Sequence, residues 1–208
     1  MGQAELSKDP YNIIITGVGG QGNVLASRIL GNMLVRRGLY VTIGETFGAS
    51  QRGGSVMSHL RVSKKSSWSP QIPKNQADMI MALEPSEAVR LLPVYGHQKV
   101  KLLSNSRAIL PVDVIAGNQK YPTIDEIKDS VKNLTEEAWF INATEESLKL
   151  GNPIFGNSIM LGALAETNVI PMSKDDFEAV ISESMPPDTV KTNLTAYDLG
   201  GDLVRQQA

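Results

Sequence analysis

A chain of 208 residues with a formal charge of −2 has room for one ordinary domain and a proper core. It lacks the basic surplus that phosphate-binding surfaces carry, so nucleic acid is not expected as a partner. Nor does any apolar run approach the ~20 residues that cross a bilayer, so no membrane partner is expected.

The absence of cysteine excludes disulfides, thiolate nucleophiles and cysteine-ligated iron–sulfur clusters from this chain. Two histidines, His59 and His97, are too few for a His-rich metal site. Redox chemistry must then come from a bound organic cofactor or from another subunit. The opening MGQAELSKDP is polar, and Leu6 stands where a myristoylation signal needs Ser or Thr. The cytoplasm is the expected compartment, with residues 1–10 a flexible start to a single domain over 1–208.

In chain order, Tyr11–Thr16 reads as a buried strand, a short β-branched run ended by glycines. Gly20–Arg37 reads as a helix with Val24, Leu25, Ile29, Leu34 and Val35 near one face, followed by a strand over Leu39–Glu45 that runs parallel to the first. A glycine- and serine-rich loop, Phe47–Ser55, leads to an alternating strand from Val56 to Val62. The polar stretch after it is a surface loop, and Ala77–Pro85 is a fourth strand entering a helix over Ser86–Leu92. Val100–Asn105 and Ala108–Leu110 read as short strands, and Thr123 with Glu126 has the spacing of a capping box opening a helix. Ala138–Ala143 is a strand and Thr144–Leu150 a helix ended by Gly151. From Asn157 the pattern is helical, with Ser173 as an N-cap ahead of Asp175 and Asp176. Together these elements predict an α/β fold: a doubly wound, mostly parallel (Rossmann-like) sheet with helices on both faces and a helical C-terminal part.

Gly17, Gly19 and Gly22 satisfy G-x-G-x-x-G between the first strand and first helix. Such a turn directs unpaired amides and the positive end of the helix dipole at an anion. Glu45, 23 residues beyond Gly22, stands near the position of a ribose-binding acid. Gly20 and Gln21 depart from a plain pyrophosphate cradle and suggest close approach of a polar group or a protein surface. The second loop, GETFGASQRGGSVMSHLRV, offers Gly48, Gly53 and Gly54 for positive-φ backbone, and Gln51 and Arg52 as an amide and a cationic fork suited to carboxylate or phosphate. In doubly wound sheets both loops fall on the carboxyl rim of the strands.

These paired stretches, GVGGQGNVLASRIL and ETFGASQRGGSVMSHLRV, resemble the gamma subunit or gamma domain of 2-oxoacid:ferredoxin oxidoreductases, of pyruvate and of indolepyruvate or arylpyruvate type (the latter call it beta). GNPIFGNSIMLGALAE and TNLTAYDLG resemble the C-terminal half of that family, so the likeness runs from Tyr11 to Gly200. It implies a subunit, inactive by itself, of an enzyme that oxidatively decarboxylates a 2-oxoacid with coenzyme A to acyl-CoA, carbon dioxide and reduced ferredoxin. Thiamine diphosphate with its magnesium and the iron–sulfur clusters are then expected on partner subunits, with ferredoxin met only indirectly; no cofactor is held by this chain alone. By resemblance, Gly17, Gly19, Gly20, Gln21, Gly22, Glu45, Gly48, Gln51, Arg52, Gly53, Gly54, Ser55, Ser58 and His59 line the face toward the thiamine subunits and the approach of coenzyme A. The same likeness includes Asn157 and Gly162, the glycine permitting close helix packing. No catalytic residue or metal ligand is assigned.

On residues alone, two other readings stay open: a stand-alone NAD- or FAD-dependent oxidoreductase using the glycine turn and Glu45, and an assembly module whose rim binds protein and no small molecule. His59 has a pKa suited to proton transfer, but a strand histidine is ordinarily a hydrogen-bonded structural residue. Glu84, at a strand end before Pro85, is expected to cap or turn rather than face the rim.

Overall fold

The computed structural model describes residues 6–46 and 53–207. Six strands form one sheet: β1 (Tyr11–Val18), β2 (Tyr40–Thr46), β3 (Ser55–Ser63), β4 (Met79–Ala82), β5 (Lys101–Asn105) and β6 (Glu137–Ile141), in the order β2-β3-β1-β4-β5-β6. Strands β1, β4, β5 and β6 are parallel neighbours, while β3 pairs antiparallel with both β1 and β2. β2 therefore runs parallel to β1, as expected, but with β3 inserted between them. The insertion follows from loop length: residues 47–54 are too few for the dozen or more that a parallel crossover needs, so β3 must return antiparallel.

The helices are α1 (Asn23–Arg36), α2 (Pro85–Tyr95), α3 (Val112–Ile115), α4 (Ile124–Lys132), α5 (Ala143–Lys149), α6 (Gly156–Glu166), α7 (Lys174–Ser184) and α8 (Pro187–Arg205). Strand alternation divides the core between the two faces. Ile13, Ile15, Met79, Met81 and Leu103 pack with α1, α6, α7 and α8; Ile14, Ile80, Ala82 and Leu102 pack with α2 and α4. The methionines of β4 are thus core residues. The expected capping box of Thr123 with Glu126 is present on α4, and Ser173, expected as an N-cap, forms a second box with Asp176 on α7.

Three sequence expectations change. α1 begins at Asn23 rather than Gly20, because Gly20 and Gly22 have positive φ, and Gly22, at φ 82°, caps the helix from outside it. Its buried stripe is Ala26, Ile29, Leu30, Met33 and Leu34, whereas Leu25 and Val35 are exposed. That set follows the i, i+3, i+4, i+7 rule better than the one read from sequence. Ala108–Leu110 is not a strand: three residues before Pro111 find no ladder partner, since β6 already occupies the edge beside β5. Of the N-terminal segment, residues 6–10 are described; Leu6 packs against the core and Lys8 pairs with the buried Asp78 at 2.8 Å.

Close helix packing dominates the C-terminal half. A Cβ on Gly162 would overlap the Tyr197 backbone, and one on Gly200 would overlap the Ile159 carbonyl, so α6 and α8 meet backbone to backbone. Beside this seam Phe177 stacks on Tyr197 at 4.6 Å. At the edge of the sheet, the Gln207 side chain accepts from the Phe140 N–H at 3.2 Å and donates to its carbonyl at 2.8 Å, covering part of the open edge of β6.

Candidate functional site at the carboxyl rim

The glycine turn closes over the carboxyl end of β1. Gly17 has no room for a Cβ, which would lie 2.6 Å from Gln21 Oε1. That oxygen accepts from the Val18 N–H at 2.7 Å, while Gln21 Nε2 donates to the Leu83 carbonyl at 2.9 Å. Gln21 therefore staples the ends of β1 and β4 together, and its amide does not stand free at the mouth of the turn. Asn157, on α6, donates through Nδ2 to the carbonyls of Gln21 at 3.1 Å and Gly22 at 3.4 Å. A Cβ on Gly22 would overlap this amide. Asn23, the first residue of α1, donates to the Ile15 carbonyl at 2.9 Å and to Ser58 Oγ at 3.2 Å.

The two sequence motifs meet directly. Gly19 donates its N–H to the Gly54 carbonyl at 2.8 Å, and Gly53 donates to the Gly19 carbonyl at 3.2 Å. Gly48, Gln51 and Arg52 lie outside the described residues. Glu45 and Ser58 join Gly19, Gly20, Gly22, Asn23, Thr46 and Met57 around a cavity of about 390 Å³. Ser55 is held from beneath: its hydroxyl donates to Glu87 Oε2 at 2.6 Å, and the same oxygen accepts from Arg90 Nη2 at 2.6 Å and Nε at 3.0 Å.

His59 stands on the other face of β3, buried against α2. Its Nδ1 accepts from the Ile72 N–H at 3.2 Å, and its ring meets Tyr95 edge-on at 5.3 Å. Burial lowers its pKa below the ordinary imidazole value. The structure thus places His59 away from the rim. Glu84 caps α2, accepting from the Glu87 N–H at 3.1 Å.

A second, larger cavity of about 770 Å³ opens at the carboxyl ends of β1, β4, β5 and β6. Gly20, Gln21, Gly22 and Leu25 form one wall, Arg107, Ala108, Ile109 and Leu110 another, and Asn152, Ile154, Asn157 and Met160 a third. Asn105 and Thr144 sit at its base, joined by a hydrogen bond of 2.8 Å. The set combines apolar surface, amide dipoles and one guanidinium, and it lies beside the N-terminal end of α1. Such chemistry suits a long ligand with an anionic group at one end.

Sequence reasoning missed Asn23, Glu87, Arg90, Asn105 and Arg107. Asn105 carried a faint signal, as a lone amide ending an apolar strand. Glu87 and Arg90 looked like the ordinary polar face of a helix.

The profile of the family described as pyruvate ferredoxin/flavodoxin oxidoreductase matches residues 12–203. The indolepyruvate oxidoreductase subunit IorB of Thermococcus kodakarensis is 37% identical over 191 residues, covering 91% of this chain and 94% of the relative. Among solved structures, the pyruvate oxidoreductase subunit PORC of Thermotoga maritima superposes with a TM-score of 0.70 at 19% identity, covering 94% of this chain and 97% of its own. The 2-oxoglutarate:ferredoxin oxidoreductase of Magnetococcus marinus, solved with 2-oxoglutarate, coenzyme A and succinyl-CoA, matches with a TM-score of 0.71 at 19% identity. That match covers 96% of this chain and 32% of the other.

Proposed function

The chain belongs to the pyruvate ferredoxin/flavodoxin oxidoreductase family, and from that premise we propose that it is the subunit of a 2-oxoacid:ferredoxin oxidoreductase that carries no redox centre of its own. The complex converts a 2-oxoacid and coenzyme A to acyl-CoA and carbon dioxide and reduces ferredoxin. Thiamine diphosphate, when bound, supplies the carbanion chemistry. A chain without cysteine does not fit an iron–sulfur cluster, so those groups belong to partner subunits. The IorB relative, 37% identical across nearly the whole of both chains, favours an aryl-substituted 2-oxoacid such as indolepyruvate as the substrate.

This chain contributes the rim. The observation that carries the reading is the backbone pairing of Gly19 with Gly53 and Gly54, which merges the glycine turn and the second loop into one surface at the carboxyl ends of the strands. Coenzyme A meets the chain there, its phosphates toward the N-terminal end of α1 and the guanidinium of Arg107, its apolar arm along Leu25, Ile109 and Ile154. The second motif offers Arg52 as a further cation for those phosphates.

The NAD reading is weaker on geometry. β3 separates β1 from β2, so Glu45 stands two strand spacings, ~10 Å, from the strand that leads into the glycine turn. The Gly19 amide is spent on Gly54, and the Gln21 amide on the Val18 carbonyl.

Reconstitution with the partner subunits tests the proposal. The isolated chain should oxidise no 2-oxoacid, the complex should reduce ferredoxin only when the chain is present, and Arg52→Ala should raise the KM for coenzyme A about tenfold, the scale of one charge-assisted contact. Turnover by the chain alone, or full turnover without it, would overturn the assignment. An unchanged KM in the Arg52→Ala complex would overturn the role given to that residue.

A further inference from the structure

Among the described residues, the strap between β5 and α4 is a part of the rim with little packing support. Residues 107–120 include no buried position, and Val112 and Ile115 are 79% and 71% exposed. The backbone hydrogen bonds around α3 stay inside the strap, among them Ile115 to Pro111, Ala116 to Val112 and Asn118 to Asp113. Its anchors lie beyond both ends. Ser106 donates its N–H to the Ile141 carbonyl at 2.8 Å, and Thr123 opens the capping box of α4.

Between those anchors, the hydrogen bonds that tie residues 108–122 to the rest of the described chain gather at the start of α2, where Ser86 also reaches the Tyr121 hydroxyl and the main acceptor is Glu84 Oε1. The Ile109 N–H donates to it at 3.3 Å, and the Tyr121 hydroxyl donates to it in a short contact. The other oxygen, Oε2, accepts from Ser86 Oγ at 2.6 Å and the Glu87 N–H at 3.1 Å and so caps α2. The carboxylate is fully buried, and a group so placed has to be satisfied by donors. Four donors and the positive end of α2 satisfy it here. When the strap lifts, water reaches the oxygen that the strap leaves, so release does not strand a bare carboxylate in the core. The pinned residue Ile109 is itself part of the cavity wall formed by Arg107 to Leu110.

We propose that Glu84 is a positioning residue that clasps residues 107–121 as a detachable wall of the rim cavity, and that coenzyme A enters and leaves by displacement of this wall. The second half rests on the reading that coenzyme A contacts this chain at the rim. Glu84→Ala would also strip the cap from α2, so Tyr121→Phe is the variant of choice: it removes one pin and leaves the ring and the cap in place.

Hydrogen exchange on the assembled complex should show residues 107–122 exchanging about ten- to a hundredfold faster in Tyr121→Phe, as expected for one lost hydrogen bond to a charged acceptor, with α2 and α6 unchanged. In the parent complex, saturating coenzyme A should slow exchange of the same segment. The KM for coenzyme A should shift more than twofold in the variant while the KM for the 2-oxoacid stays put. Unchanged exchange in Tyr121→Phe overturns the clasp. Faster exchange with no response to coenzyme A overturns the wall as its gate. In that event the Arg52→Ala complex separates the two ideas: a raised KM there leaves the coenzyme A reading standing without the gate, and an unchanged one removes the role given to Arg52 as well.

Discussion

The α6–α8 seam and the strap over residues 107–121 hold chain to chain by opposite means. At the seam two backbones touch, at Gly162 against Tyr197 and Gly200 against Ile159, and no side chain can yield to make room. At the strap no residue is buried, and one carboxylate oxygen receives both pins. The seam is part of the scaffold that fixes where Asn157 and the glycine turn stand. The strap is a wall pinned by a few hydrogen bonds at the start of α2. A rim that must bind and release a large ligand between subunits is well served by such a division: immobile floor, replaceable wall.

The largest effect is expected at the seam. Gly162→Ala sets a methyl group on the Tyr197 carbonyl, so α8 must move away along its length, which should cost about 3 kcal/mol or more. Urea unfolding of the purified chain reads this as a fall in the midpoint, with helical signal lost throughout the chain. A midpoint within error of the parent would mean that the two helices are not in backbone contact, and the contrast with the strap would fail.

Gly22→Ala sharpens the comparison because it lies where scaffold meets rim. At φ 82° the new residue sits in left-handed backbone, costing about 1 kcal/mol, and its methyl group meets the Asn157 amide. That obstacle is the end of a side chain rather than a backbone, so the total should be about 2 kcal/mol, below the seam variant. A double-mutant cycle with Asn157→Ala isolates the steric part: the pair should be more stable than the sum of the two single losses predicts. Strict additivity would mean that Asn157 is not what confines Gly22.

What the sequence made legible was local. Tyr11–Thr16 stood out by its β-branched run, α4 by a capping box whose partners lie three residues apart, and α7 by its N-cap Ser173. The pairing of the two glycine loops was legible only as a resemblance and as a rule about the carboxyl ends of strands. Relations across the chain were not. The placement of β3 between β1 and β2 depends on how short the preceding loop is, which the strand pattern from Val56 to Val62 does not reveal. Gln21, read as a polar amide at the mouth of the turn, is spent on Val18 and Leu83, the latter 62 residues away. Glu84 was legible as a cap, because its partner Glu87 is close in sequence. Its hold on Tyr121, 37 residues on, was not, because nothing in either segment marks the other. The apolar triplet Ala108–Leu110 misled as a strand, since its side chains serve a cavity wall instead of a sheet.

The smallest effect concerns a polar group placed in the body instead of the rim. His59 lies under α2 with Nδ1 accepting from Ile72, so the neutral ring carries its proton on Nε2, which finds no acceptor among the described residues. Adding a second proton would break the Ile72 bond and bury an unpaired charge, and burial accordingly lowers the pKa in the folded chain. The unfolded chain, with an ordinary value of about 6.5, takes the proton first as pH falls. Stability is therefore complete above that value and declines below it, at no more than about 1.4 kcal/mol per pH unit for one proton. Urea midpoints followed from about pH 7.5 to about 5.5, above the carboxylate range, should fall in the parent and fall less steeply in His59→Gln, whose amide oxygen can still accept from Ile72. His97 is common to both proteins and cancels in the comparison. Equal slopes would show that His59 takes up its proton as readily folded as unfolded, and the face of the sheet under α2 would then be no drier than the rim.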